Sequence, residues 1–130
     1  MANHQATPGN ASPIENRIGQ VFIPVRDMPR AIGWYGKILG LPTGQASHGD
    51  TIYDLQTQGE TGLALDANKP DFDTSGPARF FFWTEDIRAC LDFLQQHDVP
   101  IEGQIEDIGQ VSLLQFRDPD GNPLMVCQRN

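Results

Sequence analysis

Few side chains in this 130-residue chain have the type and spacing for bond-making chemistry. Its three histidines, His4, His48 and His97, are scattered, and no two share the spacing of metal ligands on one element. His4 lies in a polar N-terminal stretch, His48 in a loop beside Asp50, and His97 at a helix end, where a histidine commonly caps carbonyls. No Ser/His/Asp nucleophile set can be argued from residues so dispersed. Cys90 and Cys127 stand in apolar runs and in no paired-ligand spacing, so they give neither a zinc signature nor a disulfide framework. Asp118 and Asp120 form an acid pair, but within Asp118-Pro119-Asp120-Gly121-Asn122 their expected work is hydrogen bonding to turn amides. The acidic run Glu102 to Asp107 reads as a solvated face.

Composition narrows the partners. Hydrophobic residues make up 38% and charged residues 20%, the range of a globular chain. One domain with a real core fits the length. The formal net charge of -8 disfavours nucleic acid and anionic membrane surfaces. No apolar run spans a bilayer and no basic-then-apolar leader opens the chain, so the expected location is the cytoplasm.

The elements that must position any site can be read in order. Residues 1–15 are polar and rich in Pro, Gly, Asn and Ser, and read as a flexible tail. Arg17 to Arg26 alternates as a strand, with Val21, Ile23 and Val25 on one face. Asp27 is an N-cap, Ala31, Trp34, Tyr35, Ile38 and Leu39 make a helical apolar stripe, and Gly40 with Pro42 ends it. Two short strands, Ile52 to Gln56 and Gly62 to Leu65, join through Gln58-Gly59-Glu60. Residues 67–77 read as a linker.

The pattern then starts again. Arg79 to Thr84 is a strand, Glu85-Asp86 opens a helix with Ile87, Cys90, Leu91 and Leu94 buried, and Ile101 to Asp107 is a connector or short strand. Val111 to Phe116 and Leu124 to Cys127 close the chain as a hairpin around the Asp118–Asn122 turn. Asp27 and Asp86 correspond at an offset of 59, which sets Gln20 on Arg79 and Phe22 on Phe81. The expected fold is α+β: two tandem βαβββ units, at about 16–66 and 78–130, forming a curved mixed sheet with helices outside and a concave inner face.

The sequence resembles the vicinal oxygen chelate superfamily, which includes glyoxalase I, extradiol dioxygenases, fosfomycin-resistance enzymes and bleomycin-resistance proteins. The resemblance rests on Gly19 to Asp27 running into Trp34-Tyr35 and Leu39-Gly40-Leu41, on Phe80 to Asp98, and on Asp118 to Asn122. In metal-dependent members it implies an ion in the concave face, held by residues on the first and last strand of each half. Those positions here are Gln20, Ala64, Arg79 and Met125. Only Gln20 is a possible ligand, since a guanidinium has no lone pair to donate and a thioether suits an oxygen-rich site poorly. The resemblance therefore implies a degenerate metal site and no cofactor.

Strand alternation lines the inner face with Gln20, Phe22, Pro24, Ile52, Asp54, Phe81, Trp83, Leu113, Gln115, Met125 and Cys127, with Arg79 at its base. That is the make-up of a small-molecule site. Arg79 either receives an anionic group such as a carboxylate or pairs internally with Asp54 or Asp66. Phe81 and Trp83 either stack on an aromatic ligand or fill the space. The first functional reading is a metal-free protein that binds a small organic molecule, as the bleomycin-resistance branch does. The alternative is a metal-dependent lyase, isomerase or dioxygenase with an unorthodox ligand set, such as Gln20 with Asp54 or His48. A third is a metal-free enzyme using Cys127 or Asp54 as an acid-base group. Family members of this size imply a homodimer.

Overall fold

Among the described residues, two amphipathic helices and seven strands follow the repeat. A computed structural model describes residues 11–42 and 51–130. The first half contains β1 (Gln20–Pro24), α1 (Met28–Leu39), β2 (Ile52–Leu55) and β3 (Gly62–Asp66). The second contains β4 (Phe81–Trp83), α2 (Ile87–Gln96), β5 (Ile101–Asp107), β6 (Val111–Arg117) and β7 (Pro123–Arg129). A counterpart of β5 in the first half would fall within 43–50, which lie outside the described residues, as do His4, His48, Asp50 and most of the expected tail.

The expected mixed sheet is built as two hydrogen-bonded sheets, ordered β1-β3-β2 and β4-β7-β6-β5. In each, the first strand runs parallel to the last, and the remaining pairs are antiparallel. Phe22 lies opposite Ala64 and Phe81 opposite Met125, so the repeat holds at the level of register. β1 is shorter than the expected Arg17 to Arg26, because after the Val25 amide bonds the Asp66 carbonyl the chain turns into the N-cap of α1. β4 is also shorter than expected, yet Arg79 N–H and Thr84 N–H still bond the carbonyls of Pro123 and Cys127 at either end. Ile101 to Asp107 is a full strand whose register shifts between Glu102 and Glu106, around Gly103 at φ +74°.

Both caps behave as the residue types require. Asp27 and Asp86 are extended and accept from the amides of Arg30 and Ala89, and Gly40 ends α1 at φ +67°. The apolar stripes of both helices meet in one core that includes Ile23, Val25, Tyr35, Leu65, Leu94, Leu114 and Leu124.

A buried polar hub ties the halves together at the β6–β7 turn. Asp118 accepts from the amides of Asp120 and Asn122, as its turn position predicts. It also accepts from Tyr35 Oη on α1 at 2.7 Å. Fully buried Asn122 donates to the Pro24 carbonyl of β1 and accepts from Arg79 Nε at 2.6 Å. The Asp120 carboxylate, 1% exposed, sits 2.8 Å from Arg30 and 3.6 Å from Arg26. The turn thus supplies the directional contacts that a shared apolar core cannot.

Candidate functional site

Burial along the strands sorts the two faces. Val21, Ile23, Tyr53, Leu55, Leu63 and Leu65 are covered or partly covered by the core, while Gln20, Phe22, Ile52 and Asp54 remain open. In the second sheet Leu114, Phe116, Leu124 and Val126 are buried in the core, while Phe81 and Trp83 are 42% and 50% exposed. The residues expected on the inner face therefore alternate away from the helices, as period-two geometry demands.

On the first sheet, Gln20 Nε2 donates to Asp54 Oδ1 at 2.8 Å, across the intervening strand β3. Gly62 lies opposite Gln20, and a Cβ there would meet the glutamine side chain at an ordinary 3.7 Å. Gln20 Oε1 and Asp54 Oδ2 accept no hydrogen bond among the described residues. On the second sheet, Phe81 and Trp83 meet edge-to-face with centroids 4.9 Å apart. Across the ladder they oppose Met125 and Cys127, which in turn oppose Gln115 and Leu113. Among the described residues no side-chain hydrogen bond joins the Gln20–Asp54 pair to this second group.

Arg79 has internal partners, but they are not the carboxylates expected of it. Asp54 is taken by Gln20, and Asp66 Oδ1 accepts from Asn68. Arg79 instead donates to Asn122 and to the Asp73 carbonyl at 2.7 Å. The chain between the halves is bound by two further arginines: Arg26 donates to the Phe72 carbonyl and Arg117 to that of Thr74. Arg26 also lies 4.0 Å over the Phe72 ring. Asp73, held by the Ser75 amide and hydroxyl, titrates below the ordinary carboxylate range.

Cys127 alternates onto the inner face but is only 3% exposed, so it is covered by its neighbours. That burial pushes its thiol up, away from the thiolate an acid-base or nucleophilic role would use. Tyr35 is raised far more strongly, first by burial and then by the Asp118 carboxylate it bonds.

Divalent-metal chemistry finds a poor donor set. Ala64 offers no donor, Arg79 is cationic and engaged with Asn122, and Met125 offers a soft sulfur. No group of three or more His, Cys, Asp or Glu able to hold an ion occurs among the described residues. His48 lies outside them.

Two features escaped sequence reasoning. The hub contacts of Tyr35, Arg30 and Asn122 span 83 to 98 residues, and nothing local signals such distances. Arg129, the last residue of β7, places its guanidinium 3.7 Å over the Trp83 ring. Extending the alternation of Met125 and Cys127 by one more step would have found it.

The model of the Glyoxalase/Bleomycin resistance protein/Dioxygenase superfamily matches residues 17–126. Among solved structures, a glyoxalase/dioxygenase from Nostoc punctiforme superposes with a TM-score of 0.70 at 17% identity, covering 96% of this chain and 99% of that one. An antibiotic-binding protein from a Streptomyces species gives 0.68 at 24% identity, covering 92% and 100%. Lactoylglutathione lyase from Agrobacterium tumefaciens gives 0.69 at 18%, covering 90% and 96%. At these identities the likeness is one of fold. No curated protein matches the chain.

Proposed function

The chain belongs to the Glyoxalase/Bleomycin resistance protein/Dioxygenase superfamily, and within it we propose that this protein binds a small organic molecule on the open strand faces without a metal ion. The observation that carries this reading is the pairing of half-exposed aromatics, Phe81 and Trp83, with family metal positions of which three, Ala64, Arg79 and Met125, offer no suitable donor. Apolar surface left open beside a few fixed polar groups is what a small-molecule site requires. The Gln20–Asp54 pair supplies acceptors for a hydroxyl or amine, and the aromatic pair supplies the stacking surface. The antibiotic-binding relative shows that the fold is used for binding as well as for catalysis.

We further propose a homodimer, in which a second copy closes over the open faces. Cytoplasmic residence fits the two free cysteines, and no described helix is long and apolar enough to cross a membrane.

Elemental analysis and native mass spectrometry on protein purified without chelator test the reading together. The expected outcome is no stoichiometric divalent metal, and no activation when Zn, Mn, Fe or Ni is added. A stoichiometric ion would instead support the metal-dependent alternative, with Gln20 and Asp54 as its first ligands to substitute.

A further inference from the structure

Arg129 is set apart from the other arginines near the site. Arg26, Arg30, Arg79 and Arg117 all donate to carbonyls or side chains of the hub and the inter-half segment. Arg129 makes no ion pair and no side-chain hydrogen bond among the described residues, and its guanidinium lies 3.7 Å over the Trp83 ring. Trp83 keeps half its surface open, and Phe81 meets it edge-to-face. The three share one face, since Phe81 and Trp83 oppose Met125 and Cys127, and Arg129 is two residues further along β7. A planar cation with five donors therefore stands, unspent, against an open aromatic surface. Stacking on tryptophan leaves the guanidinium edge free to donate in its own plane.

We propose that Arg129, Trp83 and Phe81 form a recognition site for an aromatic ring carrying an anionic group, such as an aryl carboxylate. The ring lies against the open surface of Trp83 and Phe81, and the anion accepts from the Arg129 edge. This assigns to Arg129 the anion-binding role that the sequence suggested for Arg79, whose donors to Asn122 and Asp73 are spent on holding the fold. In a chain of net charge -8, a guanidinium with no acidic partner among the described residues favours an anionic group locally. The proposal rests on the reading of this face as a ligand surface.

The test is a calorimetric titration of the full chain with 2-naphthoate, neutral 2-naphthamide and cationic 2-naphthylmethylammonium. The expected order of affinity is naphthoate, then naphthamide, then the cation, with about fivefold between the first two, the scale of a partly exposed charge pair. Arg129→Gln should erase the gap between naphthoate and naphthamide while leaving naphthamide binding within about twofold. Arg129→Lys should keep part of it. Equal binding of all three probes, or an unchanged gap in Arg129→Gln, would overturn the assignment to Arg129 and leave the ligand surface standing. Failure of all three to bind would remove both.

Discussion

Tyr35 shows how one side chain is committed by its surroundings. Its hydroxyl is fully buried and donates to Asp118, and burial together with that carboxylate holds it protonated far past its ordinary range. Tyr35→Phe removes a hydrogen bond to a charged acceptor, and urea denaturation at pH 7 should show a loss of about 1.5–3 kcal/mol. The alkaline limb reports the same contact. The native state keeps the proton after the unfolded state has released it. Wild-type stability should therefore fall above about pH 10, with this residue contributing up to ~1.4 kcal/mol per pH unit. The phenylalanine variant lacks that component, so the two stability curves should converge as pH rises. Parallel curves to pH 12 would show that the tyrosine titrates normally.

Asn122 belongs to the same scale and carries more. It is fully buried, and it links the Pro24 carbonyl, Asp118 and Arg79. Asn122→Ala leaves several buried groups without partners, and a cost of about 3 kcal/mol is expected in chemical denaturation. A cost below about 1 kcal/mol would mean that Asn122 adds little to the joining of the halves.

At the scale of elements, the strands and helices were largely legible because their signals are local. Asp27, Asp86 and Gly40 bound the helices where their chemistry places them, and period-two alternation put Phe22, Phe81 and Trp83 on the open face. The ends of β1 and β4 were not legible, because they are set by pairing with a distant strand and by where the next cap begins. Nor were the partners of Arg79. Their choice depends on how the inter-half segment crosses the β6–β7 turn, a long-range matter. The turn itself gives an element-scale prediction. Gly121 has φ +86°, and a Cβ there would meet Thr74 at an ordinary 3.6 Å. Gly121→Ala should therefore cost about 1 kcal/mol from backbone conformation rather than collision, and a thermal melt checks it. A much larger loss would show that Thr74 cannot give way.

At the scale of the molecule, the repeat explains both what the fold supplies and what this chain has changed. Each half brings a first and a last strand side by side, Phe22 against Ala64 and Phe81 against Met125. Here that juxtaposition gathers apolar and aromatic side chains. Phe22 and Ile52 on the first sheet and Phe81 and Trp83 on the second are apolar side chains that a monomer leaves wet. Sedimentation at micromolar concentration is expected to give twice the 14.4 kDa chain mass, and the monomer mass would refute the dimer.

On the proposed reading, the open strand face binds an organic molecule through its aromatics and needs no metal. Calorimetric titration of chelator-treated protein with 2-naphthoate, wild type against Trp83→Ala, tests it most directly. Saturable binding with EDTA present is expected, with a loss of about tenfold or more in the variant, as for an aromatic anchor. Binding that appears only when a divalent metal is restored, or that is unchanged by Trp83→Ala, would contradict it.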